Sequence, residues 1–78
     1  MDSPSHSRTA IGTIAEYYPE LEMGYLFTKG VRVGFRTAAL MGFDRAPREG
    51  DRVEADINDD DGIAVRVRLL SQGDRELA

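Results

Sequence analysis

Two aromatic and two basic side chains have the types and spacing to bind a partner. Tyr25 and Phe27 are two residues apart and share one face of any strand that contains them, because side chains alternate along a strand. Arg32 and Arg36 share a face of the next extended segment for the same reason. Aromatic rings stack on flat groups, and a guanidinium binds the oxygens of anions. These four residues therefore predict a surface for stacking and anion binding.

A β-hairpin is the element that would bring these side chains together. Residues 24–28 and 31–36 have the composition of strands, and only Lys29 and Gly30 separate them. Two-residue turns need positive φ, which glycine adopts freely, so we predict a tight turn at this point. The hairpin would make the aromatic and the basic segment direct neighbours.

The register of this hairpin separates two faces. Phe27 lies opposite Arg32, and Tyr25 lies opposite Gly34, so these residues share one outward face with Arg36. The other face carries the predicted core residues Leu26, Thr28, Val31, Val33 and Phe35. Because that second face already supplies a core, we expect Tyr25 and Phe27 to be exposed.

Three further extended segments complete the predicted fold. They span residues 11–17, 52–57 and 63–69, and their alternation directs inward Val53, Ala55, Ile57, Val65, Val67 and Leu69. We expect cross-strand charge pairs between Glu54 and Asp56 on one strand and Arg66 and Arg68 on the next. Five short strands without a long helix predict an all-β fold, a small five-stranded antiparallel barrel of the OB type, because closure removes the sheet edges.

The 78 residues are enough for one domain. We expect a disordered leader at 1–9, a folded domain at 10–71 and a flexible tail at 72–78, because both ends lack apolar periodicity. No apolar run is long enough to span a bilayer, and the first residues do not have the pattern of a secretory signal. We therefore expect a cytoplasmic monomer with no membrane contact.

Charge is unevenly distributed along the chain. Fourteen acids against ten bases give a net charge of -4, which argues against binding to phosphates. Residues 23–48, however, hold five bases and one acid, a local net of +4, whereas residues 49–61 hold seven acids and one base. The aromatic and arginine residues fall in the basic part, so the local charge favours an anionic partner.

Catalysis and metal binding are not expected. The sequence has no Cys, and its one His, His6, lies in the predicted leader, which excludes thiolate zinc sites, His triads and multi-His metal clusters. The acidic segment 58–61 lacks the glycine and terminal carboxylate spacing of an EF-hand, so we predict a solvated turn there. We therefore expect no enzymatic activity, no cofactor and no metal.

Short motifs follow one another in the order found in a known family. They are Gly12-Thr13-Ile14, Met23-Gly24-Tyr25-Leu26-Phe27, Val33-Gly34-Phe35-Arg36, Ala39-Leu40, Gly42-Phe43 and Glu49-Gly50-Asp51-Arg52-Val53. On these motifs, residues 10–70 resemble the cold-shock domain, an OB-type barrel that binds single-stranded RNA or DNA. The resemblance implies that bases stack on Tyr25, Phe27 and Phe43.

The sequence departs from that family at several binding positions. Glu16 stands where the family has an exposed Trp, and Gly34 and Thr37 stand at two further aromatic positions. Other replacements are Arg36 for a His, and Ala15 and Met23 for basic residues. Stacking contributes roughly 1–3 kcal/mol per base, so three missing aromatics weaken binding by about 3–9 kcal/mol if additive. The resemblance therefore implies weak, salt-sensitive binding.

The candidate binding residues follow from the face and the resemblance together. They are Tyr25, Phe27, Arg32, Arg36, Phe43, Lys29 and Tyr17. Tyr17 and Tyr18 are adjacent, so one of the two must face outward. Two functions stay open: weak, largely non-specific binding of single-stranded RNA or DNA, or a protein-interaction module on a barrel that has lost most nucleic-acid affinity.

Overall fold

The computed structural model describes residues 7–71, which form six β-strands and two 3₁₀ turns. The strands are β1 (Ser7–Tyr18), β2 (Met23–Thr28), β3 (Val31–Arg36), β4 (Leu40–Met41), β5 (Arg52–Asn58) and β6 (Ala64–Ser71), and the turns are Pro19–Leu21 and Thr37–Ala39. The strand order is β3-β2-β1-β5-β6-β4, and an additional pairing of β3 with β6 closes the sheet. The predicted fold class, a small all-β barrel, is confirmed.

The barrel differs from the prediction in two details. The two-residue strand β4 adds a sixth strand, because Leu40 and Met41 pair with Val67 and Arg68 of β6. The pairings of β6 with β3 and with β4 are parallel, so the barrel is not antiparallel throughout. Both details arise at the connection from β3 through the turn Thr37–Ala39 to β4. Both of these strands run in the same direction as β6, so their pairings with β6 are parallel.

β2 and β3 form the predicted hairpin. Lys29 and Gly30 have φ of 54° and 78°, the two positive values that a type I′ turn needs. The register pairs Phe27 with Arg32 and Tyr25 with Gly34, as predicted. The predicted core face is confirmed at Leu26, Thr28, Val33 and Phe35, which are buried.

Val31 is the exception on this core face, because 58% of its surface is exposed. β3 pairs with β6 only at Phe35, near its far end. Val31 begins the strand and lies beyond that closure, so β6 does not cover it. The alternation of the hairpin is right, and the inward placement of Val31 is wrong because burial also requires a strand on the other side of the barrel.

β1 pairs with two different strands along its length. Residues 7–13 pair with β5, and residues 13–18 pair with β2. A bulge between Ile14 and Glu16 marks the change and bends the strand. The loop before β5 holds this bend, since the Ile14 N–H donates to the Asp51 carbonyl (2.8 Å) and the Ile14 carbonyl accepts from the Gly50 N–H (2.9 Å).

Asp51 is the fully buried carboxylate of that loop. Arg45 donates two hydrogen bonds to its oxygens, at 2.9 and 3.1 Å, and the Arg48 backbone N–H donates a third at 2.8 Å. A buried charge is costly unless it is paired and hydrogen-bonded, and these three contacts meet that requirement. They fix the loop that in turn holds the bend of β1.

The predicted inward face of the last strand is partly wrong. Ala64 and Val67 are buried, whereas 53% of the surface of Val65 is exposed. The register passes from the pair Ile57–Ala64 to the pair Asp56–Arg66, which leaves Val65 as the extra residue of a bulge. The extra residue reverses the inward and outward alternation of the residues before it, so that Ala64 faces inward and Val65 does not. The charge pairs predicted from Arg66 and Arg68 to β5 are present all the same.

β1 begins three residues inside the predicted leader, at Ser7. Its first residues are polar, but their backbone pairs with β5, and the Thr9 hydroxyl donates to Asp56 at 2.8 Å. The strand forms here through backbone hydrogen bonds with β5 and polar side-chain contacts. Neither of these is visible in the apolar periodicity of the sequence. The rest of the predicted leader, and the predicted tail at 72–78, lie outside the described residues.

The packing of the sheet against Phe35 generates a prediction on stability. A Cβ atom on Gly24 would lie 2.5 Å from the Glu16 carbonyl oxygen and 2.6 Å from Phe35 Cζ. Gly24→Ala is therefore expected to lower the free energy of unfolding by about 1–3 kcal/mol, the usual effect of overpacking. Urea unfolding followed by circular dichroism measures the change.

Gly34→Ala on the neighbouring strand is the matched control. A Cβ atom there would be no closer than 3.7 Å to the Tyr25 ring, which is ordinary van der Waals contact. Alanine loses less backbone entropy than glycine in a strand, so this variant is expected to be neutral or more stable by up to about 1 kcal/mol. Equal destabilisation by the two variants would contradict the close packing at Gly24.

Candidate functional site

The outer surface of β1, β2 and β3 arranges its side chains in three cross-strand rows. The register places in these rows Thr13, Phe27 and Arg32, then Glu16, Tyr25 and Gly34, then Tyr18, Met23 and Arg36. Residues directly opposite each other share a face of the sheet, so we refer to these nine residues as the outer face. Phe27 is its most open ring, with 45% of its surface exposed.

Glu16 and Arg32 form an ion pair in which Arg32 lies over the Tyr25 ring, and we refer to this pair as the Glu16–Arg32 clamp. The Arg32 guanidinium carbon lies 4.5 Å from the centroid of the Tyr25 ring, within the range of a cation–π contact. Its Nη2 donates to Glu16 Oε1 at 2.5 Å. This hydrogen bond, together with the charge of Glu16, raises the pKa of Arg32. The Glu16–Arg32 clamp therefore covers one face of Tyr25 and neutralises a cation of the outer face.

Phe27 lies in a different environment. Its row continues beyond Thr13 to Arg52, the first residue of β5. Phe27, Lys29 and Arg52 line one shallow depression of about 300 Å³. Arg52 is a candidate site residue that the sequence did not reveal, because it lies in the acidic segment 49–61. Only the pairing of β1 with β5 brings it beside the aromatic residues.

The structure brings together most of the predicted site residues. Tyr25, Phe27, Arg32 and Arg36 lie on the outer face, as the hairpin register predicted, and Lys29 lies in the turn next to Phe27. Tyr18 is the member of the Tyr17–Tyr18 pair that lies on the outer face.

Tyr17 and Phe43 pack on the core side instead. The Tyr17 ring stacks on Phe35 with centroids 6.3 Å apart and planes 4° apart, and its hydroxyl lies 2.8 Å from the Thr37 hydroxyl. Phe43 is partly buried against the same core from the loop after β4. The bulge in β1 explains the placement of Tyr17, because it shifts the alternation of that strand by one residue.

The acids of segment 49–61 are largely occupied by arginines elsewhere in the barrel. The ion pairs are Asp51–Arg45, Glu54–Arg68, Asp56–Arg66 and Asp59–Arg8. Within residues 7–71, by contrast, Lys29, Arg36 and Arg52 form no ion pair. Four of the seven acids of this segment are therefore paired, and Lys29, Arg36 and Arg52 are cations without an ion pair in this part of the chain that lie at the two ends of the outer face.

Further features of residues 7–71 bear on the class of the protein. No group of three or more acidic or histidine side chains in this part of the chain is placed to hold a metal ion. It also contains no helix that is long and apolar enough to cross a membrane. No protein-family model, curated protein or solved structure matches the chain. The class is therefore defined by fold and site: a small all-β barrel with a mixed aromatic and basic outer face.

The position of Glu16 generates a prediction on Tyr18. Partial burial raises the pKa of Tyr18, and the charge and hydrogen bond of Glu16 raise it further. Removing the carboxylate charge favours the tyrosinate, so Glu16→Gln is expected to lower the pKa of Tyr18. An NMR titration of ¹³C-labelled tyrosine measures it.

Glu20→Gln is the control for this titration. Glu20 lies in the exposed turn Pro19–Leu21, close to Tyr18 along the chain, but it is not among the groups that shift the Tyr18 pKa. This variant is expected to leave the titration unchanged. An unchanged Tyr18 pKa in Glu16→Gln would show that Glu16 does not lie beside the Tyr18 hydroxyl.

Proposed function

We propose that this protein binds single-stranded RNA or DNA weakly and with little sequence specificity through its outer face, as a monomeric, nucleic-acid chaperone-like module of the cytoplasm. The observation that carries the proposal is the exposed Phe27 ring with cations around it. Arg32 lies opposite Phe27 on β3, and Lys29 and Arg52 share its depression. Every base can stack on an aromatic ring, and basic side chains bind the phosphates, which makes such a surface tolerant of sequence.

We expect weak binding because the rest of the outer face offers few aromatic surfaces on which a base can stack. Tyr25 has one face covered by Arg32, and Gly34 in the same row has no side chain to stack. Each missing stacking position removes roughly 1–3 kcal/mol per base. The net charge of -4 also opposes a polyanion at long range. Affinity therefore rests mainly on Phe27 and the cations near it.

The fold supports the same face by analogy. Small barrels of the OB type bind oligonucleotides on the surface of their second and third strands, where Tyr25 and Phe27 lie. A fold alone does not define a function, so this analogy adds to the chemistry of the site and does not replace it. The resemblance to cold-shock domains stays a prediction that supports the proposal in the same way.

Removal of the Phe27 ring tests the proposal directly. Phe27→Ala is expected to weaken binding by about 5- to 150-fold, the equivalent of roughly 1–3 kcal/mol of stacking. Fluorescence anisotropy with labelled oligo-dT and oligo-U at low salt measures the affinity. Val65→Ala is the control, because Val65 is similarly exposed but lies on β6, away from the outer face.

Two results would contradict the proposal. One is no binding of either oligonucleotide by the wild-type protein up to about 1 mM. The other is equal affinity of the wild-type protein and Phe27→Ala. A reproducible protein partner that resists nuclease, together with the first result, would favour the protein-interaction function.

The Glu16–Arg32 clamp generates a gain-of-affinity prediction. Glu16→Gln releases the Arg32 guanidinium for phosphate and removes a carboxylate from the outer face. Exposed ion pairs contribute at most about 1 kcal/mol, so we expect oligo-dT affinity to rise by about 2- to 5-fold at low salt. Glu54→Gln is the matched control, because Glu54 is also an acid paired with an arginine, Arg68, but lies on β5. Equal gains in both variants would show an effect of net charge alone.

A further inference from the structure

The outer face borders two depressions that differ in charge. The Phe27 depression, of about 300 Å³, has Lys29 and Arg52 among its lining residues and no acid among those that line it within residues 7–71. A larger groove of about 490 Å³ lies beside Tyr25, between the hairpin and the turn before β6. We refer to it as the Tyr25 groove.

The Tyr25 groove is electrically balanced. Arg32 and Arg36 line it together with the acids Glu22 and Asp61, two of each sign. Arg32 is in addition held by Glu16. A phosphate that enters this groove meets two carboxylates and has to separate an existing ion pair, whereas a phosphate in the Phe27 depression meets cations that form no ion pair within the described part of the chain. The larger volume is therefore the poorer site for a polyanion.

The two cations of the Phe27 depression lie in different directions from the ring. Lys29 follows Phe27 along β2, at the start of the hairpin turn. Arg52 lies two strands away from Phe27 across the sheet. Neighbouring strands are about 4.8 Å apart, so the backbones of Phe27 and Arg52 are about 10 Å apart. Thr13 between them is short and leaves the space open. A base on Phe27 would thus have one cation along β2 and another across the sheet, both within the depression where its flanking phosphates would lie.

Both cations are held by ordered backbone. Lys29 lies in a type I′ turn whose two residues have positive φ. Arg52 directly follows Asp51, the buried carboxylate that accepts hydrogen bonds from Arg45 and from the Arg48 backbone. Ile11, which is also exposed at this depression, adds apolar surface beside the ring. Binding here therefore needs little reorganisation of the protein backbone.

The geometry points to a nucleotide subsite in the Phe27 depression, where Phe27 stacks a base and Lys29 and Arg52 bind the phosphates that flank it. This inference rests on the proposed function and names the part of the outer face that contributes most to binding of the nucleic acid. It extends the site onto β5, so the bound strand crosses from the hairpin over β1 toward Arg52. The Tyr25 groove contributes less, because its cations are balanced by acids.

Two charge-removing substitutions test the subsite. Arg52→Gln keeps a long polar side chain at the start of β5. Lys29→Asn removes the charge while supplying a residue that turns of this type favour, so a loss of binding cannot come from a weakened hairpin. Each is expected to weaken oligo-dT binding by about 2- to 5-fold at low salt. Each should also reduce the slope of log affinity against log salt by about 0.7, the value for one phosphate contact to a single strand.

Arg66→Gln is the matched control. It makes the same change in net charge, but Arg66 lies on β6 beside Asp56, four residues along β5 from Arg52. We expect it to leave the salt slope unchanged and the affinity within about 1.5-fold of the wild-type value. The anisotropy titrations use the full chain and a labelled oligo-dT of about ten nucleotides, within the range that one OB-type barrel covers.

The outcomes separate this subsite from the proposed function. If the wild-type protein binds oligo-dT, and Arg52→Gln and Lys29→Asn lose no more affinity than Arg66→Gln, the subsite is wrong and the function stands. If the wild-type protein binds no oligonucleotide, both are wrong. Competition by polyglutamate as strong as that by unlabelled oligo-dT would also overturn the subsite, because stacking on Phe27 requires a base.

Discussion

The outer face depends on one constraint, the bend of β1 between its two partner strands. β1 pairs first with β5 and then with β2, and the bulge after Ile14 makes that change possible. The backbone of Gly50 and Asp51 forms hydrogen bonds with both the carbonyl and the N–H of Ile14. Without the extra residue, regular alternation would direct Glu16 into the core, where an unpaired carboxylate is costly. The bulge instead directs Glu16 outward and Tyr17 inward against Phe35.

The electrostatic character of the outer face follows from that bend. Once Glu16 faces outward, it lies in the row of Tyr25 and within reach of Arg32 on the third strand. The Glu16–Arg32 pair thus joins charges across strands, as the pairs of β5 with β6 also do. The local charge of +4 in residues 23–48 overstates the cations available to a ligand, and it omits Arg52.

Sequence patterns predicted the parts of the molecule that local geometry determines. Lys29 and Gly30 specify a two-residue turn, and that turn sets the register of the hairpin and the faces of Tyr25 and Phe27. The predicted inward placement was wrong at Val65, which occupies a bulge, and Tyr17, which follows a bulge, packs on the core side. A bulge arises because one strand must meet two partners, so its position depends on distant residues. Arg52 was missed for the same reason, since only the pairing of β1 with β5 places it near Phe27.

The Glu16–Arg32 clamp also explains why the proposed affinity for nucleic acid is expected to be higher at the Phe27 end of the outer face than around Tyr25. A phosphate that reaches Arg32 replaces the Glu16 carboxylate, so the arginine exchanges one anion for another and the net Coulombic gain is small. The released carboxylate then lies beside the phosphate and repels it. Salt does not remove this disadvantage, because it screens the phosphate contact and the exposed ion pair alike. Cations that begin without an ion pair, as Lys29 and Arg52 do within residues 7–71, have no such exchange to make, and this is why the proposed nucleotide subsite lies beside them.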